Sequence, residues 1–153
     1  MIIVSSLPES HKDWFDQVAR DYFLELIPTI GNLPPGFLDP LFSDTSYDVK
    51  MIVADEECVG FAIIKRHEVV SELAEFCVLP MFRNRGVGAI AAKKCFEENP
   101  GHWTLGVAGS LPGTARFWDS ILPKIDTLEE LEQTAPTLEG QSHGYTFFVR
   151  HSK

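Results

Sequence analysis

Residues 72–88 read ELAEFCVLPMFRNRGVG, and few architectures accommodate that order. An apolar run of strand character ends at Pro80, a turn follows with two arginines and two glycines, and a helical pattern opens behind it. The start of a helix exposes backbone N–H groups that have no intrahelical partner, and the aligned peptide dipoles favour an anion there. Gly86 and Gly88 lack a Cβ, so a diphosphate can approach the main chain, while Arg83 and Arg85 supply positive charge from the rim. The stretch is expected to be a strand, an anion-binding turn and a helix in immediate succession.

These glycines admit two other readings. Gly86-x-Gly88-x-x-Ala91 also fits the dinucleotide fingerprint, which requires an acidic residue about 20 positions on to hold a ribose. The corresponding place, at the end of the next expected strand, reads Val107-Ala108-Gly109 and offers no acid. A purely structural turn leaves both arginines unexplained. The P-loop pattern is absent.

The remaining composition narrows the partners. A chain of 153 residues is expected to form a single domain over 1–153, with one substantial core. Its net charge of −9 disfavours nucleic acid or an anionic membrane as the main partner, because phosphate backbones are bound by Lys and Arg. An acidic body with a local basic turn suits an anionic cofactor and a cationic or amine substrate. No run approaches the ~18 apolar residues of a membrane span, and the first residues lack the basic and apolar regions of a signal peptide; a cytoplasmic protein is expected. Cys58, Cys77 and Cys95 are odd in number and show no C-x-x-C spacing, and the five histidines form no H-E-x-x-H pattern. No disulfide framework and no metal are expected.

Read in order, residues 1–7 suggest a strand. Ser10, with Asp13 three residues on, suggests a capped helix start before Trp14, Phe15, Val18, Ala19, Tyr22 and Leu26, which recur at helical spacing. Tyr22 alone on that apolar face has a polar tip able to reach a cleft. Residues 28–47 are rich in Pro and Gly, with Phe37, Leu38, Leu41 and Phe42 able to form one apolar turn. Strands are expected at 48–54 and 59–65 around a turn at Asp55-Glu56-Glu57-Cys58, with Gly60 marking a bulge or close packing. A third strand, 71–78, completes an antiparallel meander with one covered face. A helix is expected from about Gly86 to Glu98, a strand at 103–108, a break at 109–113, a helix at 114–122, a solvated glutamate-rich segment near 127–132 and a last strand at 144–150.

Val78-x-Pro80-x-Phe82-Arg83-x-x-Gly86-Val87-Gly88 resembles the V-x-P-x-[FY]-[RQ]-x-x-G-x-[GA] segment of the GNAT superfamily of N-acetyltransferases. Pro100-Gly101-His102-Trp103 and Ala115-Arg116-Phe117-Trp118 are similar to the PG-x-W turn and late A-x-FW helix of a bacterial subset of that superfamily. The resemblance spans roughly residues 48–122. It implies an α/β fold with a mixed, mostly antiparallel sheet flanked by helices, whose central parallel strands splay apart after Val78 to admit the pantetheine arm of acetyl-coenzyme A.

The resemblance also implies roles residue by residue. Backbone N–H groups of Arg85, Gly86, Val87, Gly88 and Ala89 would hold the diphosphate, with Arg83 and Asn84 in the same turn. Backbone groups of Cys77, Val78 and Leu79 would run along pantetheine, and an N–H near Val78 would meet the thioester carbonyl. Glu72 and Glu75 stand where relatives carry a general base. Strand alternation places them on opposite faces, so at most one is expected to face the acceptor, with Glu75 preferred. Where many relatives have an asparagine this chain has Ser110 or a neighbour, and Phe117-Trp118 stands where Phe-Tyr is common. Trp118 is no useful acid; Tyr145 is a substitute candidate, and direct release of the thiolate is the other route. Asp39, Asp44 and Tyr47 are candidates to meet a cationic acceptor. Cys77 as a nucleophile is set aside, since a strand cysteine is usually core.

The sequence therefore points to an acetyl-CoA-dependent N-acetyltransferase, monomeric or homodimeric, acting on a small-molecule amine or a peptide or protein amine. The competing expectation is a weakly catalytic domain that binds acyl-CoA as a sensor or interaction module.

Overall fold

The computed structural model describes residues 1–111 and 113–151. Strands β1 (Ile2–Ser6), β2 (Tyr47–Ala54), β3 (Glu57–Arg66), β4 (Val70–Val78), β5 (Gly101–Ala108), β6 (Leu128–Thr134) and β7 (Gln141–Val149) alternate with helices α1 (Lys12–Leu26), α2 (Pro40–Ser43), α3 (Val87–Glu97) and α4 (Thr114–Ile121). The strands form one seven-stranded sheet in the order β1-β2-β3-β4-β5-β7-β6. Every neighbouring pair is antiparallel except β4 and β5. This is the mixed α/β architecture that the sequence suggested. Pro112, within the expected break after β5, lies outside the described residues.

Local chemistry accounts for much of it. Asp55 and Glu56 both have positive φ, 49° and 72°, the conformation that joins two strands in a tight hairpin. On α1, Phe15, Ala19 and Phe23 recur every four residues and are buried. Ser10 does not cap this helix: a 3-10 turn at Glu9–His11 intervenes, and the Ser10 hydroxyl sits 3.0 Å from His11 Nδ1. Over β2, β3 and β4 both faces of the sheet are covered, not one. Phe15, Ala19 and Phe23 of α1 pack onto Phe61 and Ile63 of β3. On the opposite face Ala91, Ala92, Cys95 and Phe96 of α3 and Trp118 of α4 meet Trp103, Leu105 and Phe147. The buried Lys50 pins the far end of α3 to β2 through Asp48 at 3.3 Å and Glu98 at 3.2 Å.

Two departures from the expected pattern matter for the site. First, β4 carries a bulge: Glu75 pairs with Ile63 and Leu73 with Ile64, so Ala74 has no counterpart. The extra residue resets the alternation, and Glu72 and Glu75 share the α1 face instead of lying on opposite faces. Second, the glutamate-rich segment is solvated as expected but forms an additional edge strand, β6, with Glu129, Glu130 and Glu132 exposed. Its own irregularity between Glu129 and Glu132, with Glu130 at φ 55°, interrupts the period of two and hides the strand.

Gly60 shows close packing beside a further register shift between Ile52 and Val53. A Cβ there would lie 2.1 Å from the Cys77 carbonyl oxygen. Gly60→Ala is expected to force β3 and β4 apart and to destabilise the fold by about 2–3 kcal/mol, measurable as a lower urea midpoint; an unchanged midpoint would show that the strands yield freely.

Candidate active site

The parallel pair is short. Val70–Leu73 pairs with His102–Leu105, and beyond those residues β4 and β5 part. The parting coincides with the Ala74 bulge, which bends and twists its strand. Leu79 donates its N–H to Val59 on the β3 side, at 2.8 Å. Alternation then turns the Val78 N–H and carbonyl toward the gap, while the backbone groups of Cys77 and Leu79 face β3. Of the three residues expected along pantetheine, only Val78 offers its main chain to the opening.

Beyond Val78 the chain makes a 3-10 turn at Pro80–Phe82 and reaches Asn84 and Gly86, both left-handed at φ 63° and 79°. Gly86 is the N-cap of α3 and carries no side chain to cap it; the amides of the first turn are left for a ligand. A Cβ on Gly86 would meet nothing within 4 Å, so the turn is open toward solvent. Gly88 is different: a Cβ there would come within 2.9 Å of the Phe117 ring, so this glycine serves the packing of α4 against α3. Arg85 is exposed, with no ion-pair partner among the described residues. Arg83 reaches back and donates from Nε to the Val78 carbonyl at 2.7 Å, bracing the mouth of the gap. Uncapped amides, an open glycine and nearby guanidinium groups fit a diphosphate.

Between α1 and α4 the gap widens into a cleft of about 1030 Å³. It gathers Tyr22, Tyr47, Glu72, Glu75, Ser110 and Trp118 from the residues singled out in the sequence. The Ser110 hydroxyl donates to the Leu26 carbonyl at 3.2 Å, tying the end of α1 to the loop after β5. Trp118 is buried against Phe76 at 5.3 Å and forms part of the wall, and Phe117 stacks on Phe76 at 6.0 Å. Ala89 follows Gly88 in the first turn of α3.

Glu75 is the chemically unusual member. Burial pushes its carboxyl up to about 7, opposed by the hydrogen bond from Tyr22 and assisted by the charge of Glu72. The Tyr22 hydroxyl donates to Glu75 Oε1 at 2.7 Å, and its own pKa is driven far upward by burial and then by the Glu75 charge. Glu72, on the same face, is half-exposed and meets His67 Nε2 at 2.7 Å. A carboxyl poised near neutrality can accept a proton from an amine and return it to water.

Other candidates stand elsewhere. Asp39 and Asp44 are exposed and do not line the cleft. The Asp44 carboxylate accepts from the Ser46 N–H and hydroxyl, which hold its pKa below the usual value. Tyr145 is buried on the α4 face, outside the cleft lining, and its hydroxyl donates to Asp119. Burial and that carboxylate push the Tyr145 phenol up to about 12, a weaker acid than a free tyrosine. Burial likewise raises the Cys77 thiol to about 11, so it remains protonated at neutral pH. Among the described residues no group of His, Cys, Asp and Glu side chains could hold a metal ion. No described helix is long and apolar enough to cross a membrane.

The sequence reading missed Lys65, whose Nζ lies 5.0 Å from the Tyr47 ring centroid, the His67 partner of Glu72, and the loop 137–141, all at or beside the cleft. No motif marks them, because they converge only through the register of β2, β3 and β4 and the approach of β7 to β5.

Comparison with known proteins agrees with this fold. The chain is similar in structure to the PaiA N-acetyltransferase of Thermoplasma acidophilum, solved with coenzyme A, at 13% identity and a TM-score of 0.63 over 97% of this chain and 99% of that one. It is also similar to a GNAT family acetyltransferase of Elizabethkingia anophelis with acetyl-CoA bound, at 11% identity and a TM-score of 0.59 over 99% and 98% of the two chains. A ribosomal-protein-alanine N-acetyltransferase of Escherichia coli matches at 15% identity and a TM-score of 0.59 over 100% and 97%. Among curated proteins none matches the sequence. The profile described as Acetyltransferase (GNAT) family matches residues 9–118, so the chain belongs to the GNAT family of acetyltransferases.

Proposed function

We propose that this protein is an N-acetyltransferase that uses acetyl-CoA as donor and an amine as acceptor, with Glu75 as the general base. The observation that carries the reading is Glu75 itself, held in the cleft beside the splayed strands with a pKa of about 7. When bound, acetyl-CoA supplies the thioester whose acetyl group is transferred. The amides at the start of α3, with Arg85, would hold its diphosphate, and the Val78 main chain would orient the arm in the gap.

The acceptor enters the cleft as an ammonium ion, which has no lone pair for attack. Ionised Glu75 takes its proton, and Tyr22 positions the carboxylate by donating to it. The Val78 N–H, turned into the gap, is the donor available to charge that develops on the acyl oxygen. Tyr145 faces Asp119 behind α4, so the thiolate leaves without a tyrosine acid. A neutral amine must also lose one N–H proton on acylation, and a base of near-neutral pKa placed to take it supports turnover over passive acyl-CoA binding.

The direct test is release of free CoA thiol from acetyl-CoA across a panel of amines, small and peptidic. Thiol release that depends on the amine, with acetylated product seen by mass spectrometry, supports the reading; binding of acetyl-CoA without release on any amine would overturn it. The acidic limb of kcat/KM is expected near pH 7. Tyr22→Phe removes a hydrogen bond that favours the ionised carboxylate, so Glu75 should become harder to ionise and the limb should move upward by about 1 pH. A limb that stays in place would separate Tyr22 from the base.

A further inference from the structure

Strand register extends the cleft onto a second, open surface of the sheet. Tyr47 pairs with Lys65, Lys65 with Glu72, Glu72 with Thr104, Thr104 with Thr146 and Thr146 with Glu132. These six residues form one cross-strand row on one face, running from the cleft to the edge of the sheet. Over β2 and β3 that face is buried by α1. Over β5, β7 and β6 it is not: His102 and Glu132 are exposed, and Thr104, Thr146 and Phe148 are half-exposed. The opposite faces of the same strands are buried beneath α3 and α4.

The uncovered part forms a shallow groove of about 690 Å³ that includes Val70, Thr104, Thr146, Glu130 and Glu132. Its floor carries the His102 ring and two threonine hydroxyls able to hydrogen-bond, and its far rim is acidic. Glu129 is engaged by Arg150 at 3.1 Å, whereas Glu130 and Glu132 have no ion-pair partner among the described residues. A second copy of this chain, with a net charge of −9, would bring like charge to that rim. A polar, amide-compatible floor ending in carboxylates fits an extended polypeptide with a basic side chain at its far end.

We propose that the acceptor is a polypeptide whose reacting amine enters the cleft at Glu75 and whose following residues cross the uncovered face of β5, β7 and β6, placing a lysine or arginine at Glu130 and Glu132. This rests on the acetyltransferase reading above. From Glu75 the path runs about 8 Å back along β4 to the row at Glu72 and crosses three strand spacings, about 14 Å, to β6, a diagonal of about 16 Å that an extended peptide covers in about five residues. The basic residue therefore belongs about five positions beyond the reacting amine.

The test uses the full chain, acetyl-CoA and hexapeptides with a free N-terminal amine and either Lys or Glu at the last position, beside spermidine as a small cationic amine. The expected result is a kcat/KM about tenfold higher for the Lys peptides, reduced by added salt and brought near unity in Glu130→Gln/Glu132→Gln, whose exposed positions should leave Tm close to wild type. Equal rates for Lys and Glu peptides, or a Lys preference that survives the double variant, would overturn the proposal. So would turnover of spermidine with no peptide acetylated, which leaves the acetyltransferase reading intact. No turnover of any amine, while acetyl-CoA still raises Tm, would instead remove that reading and this proposal with it. A dimer in sedimentation that Glu132→Lys disrupts would assign the groove to a second copy and overturn it as well.

Discussion

Glu75→Gln is expected to lower kcat by about 10²–10⁴ while leaving acetyl-CoA affinity near that of the wild type. Gln can still accept the Tyr22 hydrogen bond, so the change removes the proton acceptor and keeps the shape of the cleft. The same substitution should act on stability in the opposite direction. Burial raises the Glu75 carboxyl from an ordinary 4.5 to about 7 in the folded state. Between those values the native protein holds a proton that the unfolded chain releases, so stability falls as pH rises through that window and levels off above about 7. The cost is at most about 3 kcal/mol at pH 8, and Gln does not carry it. Glu75→Gln should therefore have a higher Tm than the wild type at pH 8 and a similar one at pH 4.5. Loss of activity with a lower Tm at pH 8 would point to damaged packing; undiminished kcat would remove Glu75 as the base. The parallel variant Glu72→Gln separates the two carboxylates, because a larger loss there would move the base role to Glu72.

Gly86→Asp is expected to weaken acetyl-CoA binding by at least about 100-fold. The position is the left-handed N-cap of α3, with open space where a Cβ would go. Asp is among the few residues that adopt this conformation at modest cost, and a negative charge at a helix start is itself favourable. The fold should survive while the anion site becomes occupied by the protein's own carboxylate. Wild-type protein with acetyl-CoA at about 100 times its Kd should gain about 2.7 kcal/mol of apparent stability, read as a rise in Tm, and Gly86→Asp should show little of it under the same conditions. Gly86→Ala adds backbone strain without charge and should retain most of the affinity. Equal Tm shifts in wild type and Gly86→Asp would mean that the start of α3 does not hold the diphosphate.

The amino-acid sequence by itself determined the elements whose chemistry is local. The apolar run before Pro80, the glycines after it and the helical pattern behind them specify a strand, turn and helix, because backbone conformation there depends on neighbours in the chain. The α1 face was legible for the same reason: residues four apart share one side of a helix whatever it packs against. Asp55-Glu56 between two β-branched runs marked the β2–β3 turn.

What only the tertiary structure decided depends on register between distant strands. One unpaired residue, Ala74, reverses the facing that alternation assigns to Glu75 relative to Glu72, and no propensity marks Ala74 as a bulge. Gly88 reads as a ligand contact in sequence, and only the fold shows that its missing Cβ also makes room for Phe117. Arg83 reads as a phosphate ligand, but the curvature of the turn brings its guanidinium to the Val78 carbonyl. β6 was hidden because glutamates and an irregular register erase the period of two. The cleft itself is a gap between β4 and β5, and a gap exists only where two strands, distant in sequence, stop pairing.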